Sequence, residues 1–136
     1  LLEGLIDLCF ALSILPSLTV LWLFCCLVQI EVGNKHNAKV TFNVENTGSI
    51  AGADVPQLYL NFPESAGEPL WQLKGFNKTK VLQPQESVTV EIDTVARDVS
   101  IWDVATHDWK IIDGVYGVAV GASSRDHRLT GTMRQH

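Results

Sequence analysis

Carboxylates are the first residues here that could do chemistry. Asp98, Asp103, Asp108 and Asp113 lie close together in the second half of the chain, and carboxyls held at a fixed spacing can serve as general acid and base. Each sits in a short polar stretch between apolar runs, where aspartate commonly forms turns, so all four read as solvated loop and turn positions. His36, His107, His127 and His136 are scattered without the spacing of a zinc site; no metal and no cofactor is expected. Ser123, Ser124 and Asp126 beside His127 supply the residue types of a triad, but no nucleophile elbow surrounds them, and no catalysis is expected there. Trp71, Trp102 and Trp109 could stack on sugar rings, or serve as core and interface fillers. Packing is the expectation for Trp102 and Trp109. Trp71, beside a long loop, is the candidate for contact with a glycan, a substrate or another domain. Asn77-Lys78-Thr79 is an acceptor triplet for N-glycosylation with no proline in the middle, which makes Asn77 a candidate site in a secreted parent.

The elements that must position these residues begin after an abrupt change in composition. Leu8 to Ile30 contains no charged residue and, with Cys9, Cys25 and Cys26, holds all three cysteines. As a helix it would span about 34 Å at roughly 1.5 Å per residue, enough for a bilayer core of about 30 Å. Glu3 and Asp7 precede it with no Lys or Arg, unlike the positive start of a signal peptide. Lys35 and Lys39 come after it, a weak orientation signal placing the globular part on the cytoplasmic side. Residues 1–37 are therefore expected to form an apolar, helical leader, open to three readings: a membrane span or anchor through residues 8–30, a helix buried against another domain, or translated sequence foreign to the native protein. The chain begins at Leu1 and its only methionine is Met133, as expected for a fragment, a processed product or a reading frame with an uncertain start. The remainder has no cysteine and must stand on a packed core, for which roughly 100 residues suffice. A formal net charge of −5 argues against nucleic-acid binding, which needs a basic face.

From Ala38 the apolar period becomes two. Val40, Phe42 and Val44 alternate with Thr41, Asn43 and Glu45, a half-buried strand, and Asn46-Thr47-Gly48 turns it. Further strands are expected at about 54–61, with Pro56 marking an edge or bulge, and at 71–76 after the loop Phe62–Leu70. Others lie near Val81-Leu82, at 87–93 where Val88, Val90 and Ile92 alternate, at 99–102, 109–112 and 115–120, and at 126–132. Asp113-Gly114 between the strands at 109–112 and 115–120 reads as a hairpin turn. Seven or eight short strands with a turn every ten residues or so define an all-β antiparallel sandwich of immunoglobulin/fibronectin-III-like layout over residues 38–136. Tyr116 is a candidate tyrosine corner.

Particular words go further than the pattern. VTFNVENTGSIAGADVPQLYL (40–60), QLKGF (72–76), LQPQES (82–87), RDVSIWD (97–103) and DGVYGVAVGASSRDHRLTG (113–131) occur in the order in which similar words occur in the fibronectin type III-like C-terminal domain of family 3 glycoside hydrolases. AGEP (66–69) resembles fungal β-glucosidases in particular. Gln85 stands where the resemblance leads one to expect a turn glycine. That turn must either avoid positive φ or carry strain.

The resemblance implies a truncated chain whose catalytic barrel and second α/β domain are missing, together with the two carboxyls that a retaining glycosidase sets about 5 Å apart. The expected function is a non-catalytic accessory and stabilising module of a β-glucosidase that hydrolyses β-D-glucosides. Its expected partners are the catalytic domains of its own parent, with carbohydrate contact through Trp71, and the parent is expected to be secreted. The alternative is a membrane-anchored glycan-binding or adhesion sandwich.

Overall fold

The computed structural model describes residues 28–32 and 37–136. Residues 1–27 and 33–36 of the expected helical leader lie outside them, and with these most of the expected membrane span, the three cysteines, Lys35 and His36. Among the described residues there are nine strands: β1 Gln29–Val32, β2 Ala38–Glu45, β3 Gln57–Asn61, β4 Gln72–Phe76, β5 Ser87–Thr94, β6 Ser100–Asp103, β7 Asp108–Ile111, β8 Gly114–Ser123 and β9 Asp126–Gln135. They form a three-stranded sheet in the order β1-β2-β5, a four-stranded sheet β4-β3-β8-β9 and a two-stranded ribbon β6-β7, with every pairing antiparallel. The chain is an all-β, fibronectin-III-like sandwich.

Alternation explains the core. On β2 and β5, Ala38, Val40, Phe42, Val90 and Ile92 point inward, and on the facing sheet Leu58, Leu60, Tyr116, Val118, Val120 and Met133 meet them. Each aliphatic chain so buried contributes roughly 1.5–3 kcal/mol. The register Ala38↔Thr94 to Glu45↔Ser87 is held at one end by Thr94, whose buried hydroxyl accepts from the Ala38 amide and donates to the Ala38 carbonyl, both at 3.1 Å.

Two expectations need correction, and one open alternative is decided. The sandwich does not start at Ala38: β1, inside the expected leader, pairs with β2 from Gln29↔Thr41 to Val32↔Ala38, and Val28 and Ile30 pack on the core. The alternation Val28, Ile30, Val32 against Gln29 and Glu31 was the available signal, hidden by the apolar run before it. Asp113-Gly114 does not close a hairpin. β7 pairs back to β6, and β8 pairs with β3 and β9, so the chain changes sheets at Gly114 with φ 147°. The hairpin that does form joins β8 to β9 through Ser123↔Asp126, across Ser124-Arg125, which has none of the Asn-Gly chemistry that marks such turns. Finally, the turn at Gln83–Glu86 takes the strained alternative. The Glu86 amide donates to the Gln83 carbonyl at 2.9 Å, with Pro84 first and Gln85 second at φ 67°. That is a type II turn whose second position favours glycine.

Pro56 behaves as expected: regular β3 pairing starts only at Gln57. Before it, residues 52–56 run beside 77–82 through Gly52–Leu82, Asp54–Thr79 and Asn77–Pro56 backbone bonds.

Candidate functional site

The surface most distinctive in residue type lies where β4, the loop before it and the outward side of the four-stranded sheet meet. Phe62 anchors the loop. It is buried, its ring lies 5.1 Å from that of Tyr116, and the Lys74 ammonium sits 5.0 Å above it. The loop then makes one 3-10 turn at Glu64–Ala66, closed by Gly67 in the left-handed region. Glu68, Pro69 and Leu70 are exposed.

Trp71 comes next and is half-buried. It lies over the strip of β8 where Gly117 leaves room: a Cβ there would come 3.3 Å from the indole. Its ring meets His127 edge-on at 4.8 Å, and His127 in turn lies 5.2 Å from Tyr59, whose hydroxyl donates to Gln57 Oε1. His127 Nε2 is buried with no hydrogen-bond partner. Trp71 is thus fixed by a packed aromatic row, with only part of its indole left for a ligand.

Asn77 follows β4 and is exposed, while Thr79 of the same triplet is buried and its hydroxyl accepts from the Asp54 amide at 2.9 Å. The Asn77 Nδ2 donates one hydrogen to the Glu91 carbonyl at 3.1 Å, and the amide's second hydrogen remains for substitution.

Trp102 and Trp109 pack as expected, but on each other rather than in the core. Their rings cross edge-to-face at 5.6 Å, the Arg97 guanidinium lies 4.6 Å over Trp109, and the indoles remain 49% and 45% exposed.

Asp98 lies in a turn, and Asp103 and Asp108 end β6 and begin β7 on either side of the turn between them. Asp98 accepts from the Val95 amide, Asp103 from Ala105 and Asp108 from Trp109. The Ala105 amide holds the Asp103 carboxyl below the ordinary aspartate range. The Ser, Asp and His side chains near His127 do not form a relay. Asp126 pairs with Arg128 at 3.1 Å, the Ser123 hydroxyl accepts from the Arg125 amide, and His127 stacks on aromatics. Among the described residues no cluster of His, Cys, Asp and Glu could hold a metal ion, and no helix is long and apolar enough to cross a membrane.

Tyr116 is the tyrosine corner. Fully buried, its hydroxyl lies 2.9 Å from the Ile112 carbonyl, four residues upstream, and 3.0 Å from that of Val99. Burial pushes its phenol above the ordinary value, and Asp113 adds to the rise.

A sandwich with a tyrosine corner, a proline-containing loop before its edge strand and no assembled catalytic group among the described residues is a module of the fibronectin type III kind. The profile of the fibronectin type III-like domain matches residues 54–124, and the chain belongs to that family. It is 47% identical over 94 residues to the probable β-glucosidase N of Emericella nidulans, covering 69% of this chain and 14% of that protein. To the probable β-glucosidase G of Aspergillus flavus it is 50% identical over 93 residues, covering 67% and 11%. The β-D-glucoside glucohydrolase of Trichoderma reesei superposes with a TM-score of 0.69 at 45% identity, over 71% of this chain and 14% of that one. The Bifidobacterium adolescentis GH3 β-glucosidase does so with 0.75 at 31%, over 79% and 16%. The chain therefore spans about a seventh of the length of these relatives.

Proposed function

We propose that this chain is a non-catalytic accessory module of a β-glucosidase. It packs on catalytic domains supplied by the rest of the parent, stabilises them, and projects the loop Phe62–Leu70 toward the surroundings of their active site. One observation carries this reading: relatives named as β-glucosidases match it over only 11–14% of their length, so most of each relative lies outside the matched segment. The engagement of Asp98, Asp103 and Asp108 in turn hydrogen bonds and of Asp126 in an ion pair supports it. Hydrolysis of β-D-glucosides is the activity of the parent, which is secreted, and Asn77 carries an N-glycan there.

Two measurements test this. The purified full chain, given a chromogenic aryl β-glucoside, is expected to release no aglycone above buffer; activity that co-purifies with the chain through successive columns overturns the reading. Produced through a eukaryotic secretory pathway, the chain is expected to carry a mass increment that endoglycosidase removes and Asn77→Gln abolishes.

A further inference from the structure

The two outer sides of the sandwich differ in chemistry. Outside the three-stranded sheet, Lys39 pairs with Glu91 at 3.1 Å and the Thr89 hydroxyl donates to Asn43 at 2.8 Å; Thr41 and Asp93 belong to the same side. That is a side built to face water. Outside the four-stranded sheet, the register Gln57↔Phe76 and Tyr59↔Leu73 sets Phe76 and Leu73 on the outward side with Tyr59. Leu73 is 51% exposed and Phe76 68%. Leu70, at 75%, and the half-buried Trp71 extend the stripe into the loop. β4 is also the edge strand of its sheet, and apolar side chains exposed along an edge strand invite association.

We infer that this stripe, Leu70, Trp71, Leu73 and Phe76, is the face by which the module docks on the rest of its β-glucosidase chain. The inference rests on the accessory reading above and names its contact. The occupant is set by the lengths: most of each relative lies beyond the matched segment, and a covalently linked body is present at high effective concentration. Leu73 and Phe76 also belong to Gln72–Phe76, one of the words by which the chain resembles the family. The aromatic row Trp71–His127–Tyr59 stiffens the face from below, which lowers the ordering cost of docking.

The test uses Leu73→Glu and Phe76→Glu. Because both side chains are exposed, each variant of the full chain is expected to keep the parent's circular dichroism and a Tm within about 2 °C. The chain is then grafted in place of the 94 matched residues of the Emericella nidulans probable β-glucosidase N. The native graft is expected to unfold in one transition. The Leu73→Glu and Phe76→Glu grafts are expected to split into two transitions or to lose at least about 5 °C. Leu73→Glu and Phe76→Glu grafts that melt like the native graft overturn the face and leave the accessory reading standing. Deletion of the segment from the relative with no change in Tm or activity overturns both. In the free full chain, a dimer that Leu73→Glu dissociates makes a second copy the occupant. Hydrogen-exchange protection of β4 that vanishes on removal of residues 1–27 assigns the face to this chain's own start. Either result overturns the proposal.

Discussion

Two residues show how far a single side chain or dihedral decides stability here. Gln85 holds φ 67° at the position of a type II turn where glycine is strain-free, and a non-glycine residue there costs roughly 1–2 kcal/mol. Its side chain is exposed, so nothing is lost by removing it. Gln85→Gly is expected to raise stability by about 1 kcal/mol in urea unfolding, offset in part by the freer unfolded chain. Tyr116 works in the opposite sense. Its hydroxyl has one proton within reach of both the Val99 and the Ile112 carbonyl, and Tyr116→Phe leaves that pair without its donor, for an expected loss of about 1–3 kcal/mol. The folded phenol titrates above its unfolded value of 10.0. The neutral form is therefore favoured by folding, and its contribution is complete below pH 10.0 and lost as pH rises through the folded value. Stability measured from pH 9 upward should fall for the wild type, and the fall should be smaller in Tyr116→Phe.

At the scale of elements, the first strand and the last hairpin are the informative cases. β1 adds four paired residues to the edge of its sheet and brings Ile30 so close to β9 that a Cβ on Gly131 would lie 2.8 Å from its Cδ1. A chain started at Ala38 is expected to be less stable than one started at Val28, by about 1–3 kcal/mol for the partly buried Val28 and Ile30 together, read as a lower urea midpoint. The β8–β9 hairpin is bulged near Gly121, where an added Cβ would stand 1.9 Å from the Asp126 carbonyl oxygen. Backbone cannot yield to that contact as a flexible side chain can, so Gly121→Ala should cost about 1–3 kcal/mol. Strands with clean alternation, such as β2 and β5, were legible because one of their sides is core and the other water. β1 was not, because its alternation continues an apolar run. The β8–β9 turn was not, because Ser124-Arg125 turns without positive φ. Around the candidate site, the loop's position before Trp71 and the tyrosine corner were readable from residue type and position. The outward apolar stripe was not, since telling Leu73 from Leu58 requires knowing which side of the sheet each faces.

For the whole molecule, topology sets how this sequence reaches its fold. The β2–β5 ladder joins Ala38 to Thr94, and the inner strand β3 waits for β8, pairing Leu58 with Val120. Neither sheet can therefore close from neighbouring residues alone. Loop closure must come before the core contacts that reward it, and sandwiches built this way refold in milliseconds to seconds rather than microseconds. The tryptophans of the described residues report on separate regions: Trp71 on the outward side of the larger sheet, Trp102 and Trp109 on the ribbon. If the sandwich is a single cooperative unit, the fluorescence of wild type and of Trp71→Phe should give the same refolding rate in stopped-flow dilution from urea, within about a factor of two once the change in stability is allowed for. Different rates, or amplitude missing from one probe only, would mean that the β6-β7 ribbon folds apart from the sheets. The packing of Ile101 and Ile111 on the common core, with Tyr116 bonded to Val99 at the foot of the ribbon, argues for one unit, because neither sheet can complete its core while the ribbon is away.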